Sequence, residues 1–249
     1  MFDFVRKPQI WRAMDAGYQN EIRGKIGFQL KTMQDLAIYA HLRGLSGLDI
    51  AEIGGGDSRI LPRLATTNRC HNIEPFEGAD NGPKSEVRID GVQNIRTTVG
   101  KFDPALADNQ FDVLFSVSVV EHIPHPDFDA FLADCVRILK PGGRMYHAID
   151  MYIAKAPTDF WLNRFSMYRR ALTDRADLEP IGEIVTDAYQ FETDMASNPD
   201  SVMYDWKALS PSLDALRQVA QSVSLQWGAR KRDPAGGVMM ATGAANLAQ

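Results

Sequence analysis

The chain has 249 residues, 45% of them apolar and 24% charged, and a net charge of −5. That length buries a sizeable core as one domain or as one domain with an insertion, and the acidic balance speaks against a broad nucleic-acid-binding face. No apolar run approaches the ~20 residues that span a bilayer, the start Met-Phe-Asp-Phe-Val-Arg-Lys-Pro lacks the apolar stretch of a secretory signal, and the two cysteines, Cys70 and Cys135, show neither metal-ligand spacing nor a disulfide framework; a reducing, cytoplasmic compartment is expected.

From Trp11 to Arg43 the pattern is helical. Leu30, Met33, Leu36, Ala37 and Ala40 share one face, and Gly44 suits a C-terminal cap. Ile10, Trp11, Met14 and Tyr18 fit an earlier helix, which either covers a ligand or simply packs on the sheet. Next comes Gly47-Leu48-Asp49-Ile50-Ala51-Glu52-Ile53-Gly54-Gly55-Gly56-Asp57-Ser58, an apolar strand running into three glycines and then a helix-like stretch, Ser58 to Ala65. Glycine permits positive φ and lets a ligand approach bare backbone, while the following helix turns its free N–H groups to the same place. By itself such a turn also fits a tight strand-to-helix connection with no ligand.

A second short strand, Cys70-His71-Asn72-Ile73, ends at Glu74, 20 residues beyond Gly54. An acid at the end of the second strand of a βαβ unit accepts hydrogen bonds from both hydroxyls of a ribose. Glycine turn and acid together point to an adenosine ligand. Glu77, in the Pro75 to Pro83 loop, competes with Glu74, which is preferred for its place directly at the strand end.

A third strand is expected over Asn94 to Val99, stopping at Gly100. Phe111 to Val117 reads as a central parallel strand covered on both faces, followed by Ser118-Val119-Val120-Glu121-His122. Phe128 to Leu139 fits an amphipathic helix with Phe131, Leu132, Cys135, Val136 and Leu139 inward; Lys140-Pro141-Gly142-Gly143 ends it, and a fifth strand spans Arg144 to Ile149. Asp159 to Ala171 reads as an aromatic-rich helix carrying Phe160, Trp161, Phe165 and Tyr168. Segments around Tyr189 to Phe191 and Val202 to Trp206 are irregular. Ser210 or Ser212 then caps a helix bearing Leu213, Leu216, Val219 and Val223, and Leu225 to Ala229 with Val238 to Ala244 form a closing hairpin.

On these residues the chain resembles the class I S-adenosylmethionine-dependent methyltransferases of the small-molecule type. Their first motif, an acid, any residue and Gly-x-Gly-x-Gly, reads here Glu52-Ile53-Gly54-Gly55-Gly56-Asp57-Ser58, with Ser58 in place of the last glycine. The Glu-His pair after the fourth strand and the Leu-Lys-Pro-Gly-Gly turn are similar too, so the likeness covers about residues 47 to 150. It implies an α/β fold: a Rossmann-like doubly wound sheet, mostly parallel with an antiparallel closing hairpin, plus N-terminal helices and a cap after the fifth strand. The corresponding domains are 1–46 for the N-terminal helices, 47–150 with 208–249 for the core, and 151–207 for a cap that either covers substrate or is structural.

The resemblance further implies S-adenosylmethionine as cofactor, leaving as S-adenosylhomocysteine, held by Glu52, Gly54, Gly55, Gly56, Ser58, Glu74, Phe102 and Ser118. Glu52 suits a cationic sulfonium better than a pyrophosphate, which disfavours an NAD-linked oxidoreductase. Lys101 stands where relatives carry an acid for the adenine amino group, Asp103 is a displaced substitute, and Phe102 either stacks on adenine or is an ordinary core aromatic. The implied reaction moves a methyl group in line to an O or N atom of a small molecule, by positioning and water exclusion.

His122, expected to open the helix after the fourth strand, is the base suggested for the acceptor's proton; its plain alternative is to cap that helix or touch cofactor. His147, Asp150 and Tyr146 are held in reserve. Ubiquinone-pathway O-methyltransferases carry Glu-Val-Val-Glu-His where this chain has Ser118-Val119-Val120-Glu121-His122, so one hard oxygen ligand is missing and no metal is expected. A sugar or secondary metabolite is the acceptor class the likeness suggests, and Trp161, Phe165, Tyr168 and Trp206 either stack on it or belong to the core. From another function class, a catalytically silent domain that binds cofactor or partner proteins fits the same motifs.

Overall fold

The structure is a computed structural model that describes residues 1–24, 30–78, 82–184 and 220–233. Its strands are β1 (Phe2–Phe4), β2 (Asp49–Ile53), β3 (Arg69–Ile73), β4 (Val92–Ile95), β5 (Phe111–Val117), β6 (Leu139–Ala154), β7 (Leu178–Pro180) and β8 (Ala220–Lys231). The helices are α1 (Lys7–Asp15), α2 (Leu30–Leu42), α3 (Leu61–Leu64), α4 (Phe128–Ile138) and α5 (Asp159–Thr173). Strand order in the sheet is β1-β8-β6-β5-β2-β3-β4, with β7 also paired to β8.

The four neighbours β6, β5, β2, β3 and the edge strand β4 run parallel, while β8 is antiparallel to β6 and β1 antiparallel to β8. The sheet is therefore mixed, parallel at its centre and antiparallel at one edge. The chain passes outward through β2, β3 and β4, then returns to place β5 on the other side of β2. That reversal leaves a crevice at the carboxyl ends of β2 and β5, the position where open α/β sheets bind ligands.

Period-two alternation explains the two-sided burial. On β5, Val113, Phe115 and Val117 pack with Ile38, Tyr39 and Leu42 of α2, while Leu114 packs with Phe131, Leu132 and Cys135 of α4. Each of these side chains is at most 4% exposed. The helix α5 joins the α4 side: Phe165 meets Phe2 at 5.1 Å between ring centroids, Tyr168 meets Phe128 at 5.3 Å, and the Trp227 indole donates to the Tyr168 carbonyl at 2.8 Å. Truncating a buried phenylalanine removes both its transfer energy and its packing. Phe165→Ala is expected to lower unfolding stability by ~3–5 kcal/mol, measured by denaturant titration of the purified protein.

Several expected elements shift. The N-terminal region, expected to be helical, also supplies β1, because Phe2 and Phe4 fill the gap beside Trp227 and Phe165 at the sheet edge. The third strand is Val92–Ile95, earlier than Asn94 to Val99, since pairing ends where β3 ends at Ile73. The fifth strand runs on to Ala154, as its antiparallel partner β8 follows it from Arg144 to Ala154; the chain therefore leaves the sheet later than the expected boundary at 150. Val223, placed on a helix face by its spacing, lies in β8, where the pairing to Met151 overrides helical spacing.

The stretch from Ser58 to Ala65 forms a single helical turn, α3. The helices of the expected 11–43 region are separate elements, α1 and α2, and Gly44 does end α2 with φ of +83°. In its described part, the expected cap contributes α5, whose Phe165 and Tyr168 are core residues, while Trp161 packs partly buried against the same cluster. The expected segments Tyr189 to Phe191, Val202 to Trp206, Ser210 to Val219 and Val238 to Ala244 lie outside the described residues. Among those described, no helix is long and apolar enough to cross a membrane.

Candidate active site

A cavity of about 1660 Å³ opens at the carboxyl ends of β2, β3 and β5. The turn after β2 forms its floor. Gly54 and Gly56 adopt φ of +66° and +52°, a region side chains resist. A Cβ on Gly54 would lie 2.7 Å from the Val119 side chain, and one on Gly55 would lie 2.8 Å from both Glu52 Cδ and Asn72 Oδ1. The glycines are thus required twice, by backbone angle and by the two turns' close approach.

Three side chains hold that turn. Asn72 Nδ2 donates to the Gly56 carbonyl at 3.1 Å, and Ser58 Oγ accepts the Ile60 and Leu61 N–H groups at 3.1 and 3.0 Å, just before α3. Glu52 lies beneath it, 4% exposed, with Oε2 buried and unpartnered. Desolvation pushes its carboxyl up to about 8, against the pull of the Ser58 hydroxyl. Lys31 and Arg59 act on it only as charges at a distance, and among the described residues it makes no ion pair; such a buried acid suits a positively charged ligand seated above it.

Glu74 leaves β3 into the cavity wall, 7% exposed, with Oε1 accepting the Phe76 N–H at 3.2 Å. Its competitor Glu77 also reaches the wall. Glu52, Gly54, Gly55, Gly56, Ser58, Glu74, Ser118 and His122 all line the same space. Phe102 does not. Asp134, fully buried on α4, accepts the Gly100 and Phe102 N–H groups at 2.6 and 3.2 Å, which bends the loop so that Phe102 takes φ of +53° and stands 50% exposed, away from the cavity. Lys101 and the Thr97–Gly100 backbone form that wall instead, and Asp103 is occupied by Thr97 at 2.6 Å.

His122 is not at the start of a helix. It ends a 3-10 turn, Val120–His122, which a second such turn, His125–Asp127, separates from α4, because Pro124 and Pro126 interrupt the helix. Its ring is 44% exposed, and its Nε2 stands 3.9 Å from Glu121 Oε1. His147 is removed from any such role: it is 2% exposed, bonded to Ser116 at 2.7 Å, and burial pushes it down to about 3. Tyr146 is likewise buried, stacked against His41 at 5.1 Å.

Sequence reasoning missed a polar cluster at the cavity wall. Gln34 of α2 donates to Asp150 Oδ1 at 2.6 Å and to Ser224 Oγ at 3.1 Å, while the Ser118 hydroxyl donates to Gln34 Oε1 at 2.7 Å. Ser118 holds a left-handed φ of +52°, an unfavourable angle for a residue with a Cβ. The signal was weak: Gln34 is buried on α2 together with the polar Thr32 and Asp35, whereas Asp134 breaks the inward pattern of α4.

A family model described as a methyltransferase domain matches residues 51–147. The ubiquinone biosynthesis O-methyltransferase of Maricaulis maris is 27% identical over 140 residues, covering 53% of this chain and 52% of that one. Its counterpart in Cereibacter sphaeroides is 34% identical over 119 residues, covering 45% and 44%. The chain thus spans about half the length of the curated relatives it matches. Phosphoethanolamine N-methyltransferase 2 of Haemonchus contortus, solved in complex with S-adenosyl-L-methionine, shares the fold with a TM-score of 0.51 at 15% identity over 80% of this chain and 52% of that one. The matched segment holds the glycine turn, Glu74 and the Glu-His turn around one crevice, and over residues 51–147 the chain is similar to methyltransferase domains.

Proposed function

We propose that the protein transfers a methyl group from S-adenosylmethionine to an oxygen or nitrogen atom of a small molecule. The observation that carries this reading is one cavity lined at once by the glycine turn, the buried Glu52 and the strand-end acid Glu74. Glu74 offers acceptors to ribose hydroxyls, the Gly54–Gly56 backbone admits the chain of the ligand, and Glu52 balances its positive charge. The cavity, at about 1660 Å³, exceeds the ~300–1,000 Å³ of ordinary ligand sites, so it has room for an acceptor beside the cofactor.

When bound, the cofactor supplies a methyl carbon whose bonding pair stays with sulfur as the acceptor's lone pair forms the new bond. The protein's part is to align the acceptor, exclude water and receive the acceptor's proton. Two side chains of the wall can receive it, His122 and Asp150. A sugar or secondary metabolite remains the proposed acceptor class, although Phe165 and Tyr168 are core residues and offer it no stacking face. The cysteines are both free and buried, in keeping with the reducing, cytoplasmic compartment proposed from sequence.

Calorimetric titration with S-adenosylhomocysteine tests the reading. Binding in the micromolar range is expected, followed by label transfer from S-adenosylmethionine to acceptor in a screen of hydroxyl and amine compounds. Folded protein that takes up neither cofactor form overturns it. Tight binding with no transfer to any acceptor favours the silent domain.

A further inference from the structure

Among the described residues, Asp150 is the one carboxylate of the cavity wall that receives side-chain hydrogen bonds from two separate parts of the chain. Its Oδ1 receives Gln34 Nε2 at 2.6 Å and lies 3.2 Å from the Ser118 hydroxyl, and Gln34 itself is fully buried. No further bond to the carboxylate is present among the described residues, so Oδ2 is left for the cavity. Ser118, directly after β5, holds its left-handed φ while bonded in this cluster. Strain of this kind persists where surrounding contacts over-determine a geometry, and it clusters at working sites.

The fold sets Asp150 opposite the ribose end of the site. Glu74 follows β3 and Asp150 lies on β6, with β2 and β5 between them. At ~4.8 Å per strand the two acids stand ~14 Å apart along the crevice. A ligand whose ribose meets Glu74 therefore extends its charged end across the glycine turn toward Asp150. Glu121, close by but not lining the cavity, has a side chain 10% exposed, and desolvation, then the charge of Asp150, push it up to about 8. Burial thus holds Glu121 toward its uncharged form.

We propose that the Asp150 carboxylate, held by Gln34 and Ser118, faces the reacting methyl group and takes the acceptor's proton on Oδ2, with Gln34 and Ser118 as positioning residues. The inference rests on the methyltransferase reading of the same cavity. As the acceptor's lone pair forms its bond to carbon, its O–H or N–H proton passes to Asp150, which goes from carboxylate to carboxylic acid. His122, half-exposed and 3.9 Å from its nearest acid, lacks a comparable mooring.

A carboxylate close enough to receive that proton is close enough to feel the positive sulfonium, which S-adenosylmethionine has and S-adenosylhomocysteine lacks. The test is the ratio of their dissociation constants, measured by calorimetry without any acceptor. For Asp150→Asn, which is isosteric and retains the Gln34 contact, homocysteine-form binding is expected within threefold of wild type while the ratio of methionine-form to homocysteine-form Kd rises about tenfold. Glu121→Gln is expected to leave the ratio within twofold. An unchanged ratio in Asp150→Asn overturns the proposal, as does an equal rise in Glu121→Gln. Should Asp150→Asn lose both ligands, Gln34→Met decides: it keeps the charge but frees the carboxylate, and a ratio raised threefold or more with the homocysteine form retained supports the proposal, whereas any other result overturns it. Wild-type protein that binds neither ligand defeats the methyltransferase reading itself, a result distinct from all of these.

Discussion

Glu74→Ala is expected to weaken S-adenosylhomocysteine binding by roughly two powers of ten. A hydrogen bond to a charged group contributes about 1.5–3 kcal/mol, and a carboxylate at the end of β3 accepts one from each ribose hydroxyl. Two such bonds together correspond to a factor of a hundred or more in Kd. The variant also leaves the Phe76 N–H without its acceptor at 3.2 Å, so part of any loss comes from the loop. Glu74→Gln separates the two effects, because its amide oxygen keeps the Phe76 bond and one ribose acceptor; a loss of about tenfold is expected there. Calorimetric titration of both variants reads the result. Binding retained within threefold in Glu74→Ala shifts the ribose contact to Glu77, the other acid of that wall.

Glu52→Gln is expected to raise the stability of the ligand-free protein at pH 8 and to leave it nearly unchanged at pH 4. Glu52 is 4% exposed, and burial lifts its carboxyl from 4.5 to about 8. Its folded-state pKa is above the unfolded one, so the unfolded state releases its proton first as pH rises. The contribution of Glu52 to wild-type stability therefore falls between about pH 4.5 and pH 8 and is constant on either side. The neutral amide has no charge to desolvate, and the difference at pH 8 is on the order of 3–5 kcal/mol. Thermal unfolding of both proteins at the two pH values measures it, with a gap of roughly 10 °C expected at pH 8 for a domain of this size. A gap independent of pH would show that Glu52 is ionised in the fold. The same variant should bind the cationic cofactor less well, since the charge induced by the ligand is the one removed.

These two acids illustrate where the sequence is sufficient. Glu52 and Glu74 stand at fixed offsets from a glycine turn, and the turn is legible because positive φ is a local demand that glycine meets at least cost. β2, β5, α4 and α5 were legible for a similar reason: a period of two or of 3.6 in apolar residues is imposed by the element itself. Phe102 failed the same reasoning. Its neighbours in sequence place it beside the adenine side of the cavity, but Asp134, 32 residues further on, bonds its N–H and turns it outward.

Strand ends and edges were likewise decided by partners. β6 extends to Ala154 because β8 lies alongside it, and β1 exists because Phe2 pairs with Trp227 at the far end of the chain. Neither stretch carries a local pattern strong enough to announce this. A strand at a sheet edge is specified by the backbone groups it finds to bond as much as by its own side chains.

The sequence by itself determined the strand, the glycine turn after it and the place of Glu74 at the end of the next strand, since each depends on backbone preference or on spacing within one βαβ unit. Only the tertiary structure decided which polar side chains meet in the wall. Gln34 and Ser118 are 84 residues apart, and Ser118 and Asp150 are 32 apart. They come together because α2 packs over β5 and β6 while β5 and β6 lie side by side, and no local propensity encodes a contact that depends on how separate elements are layered.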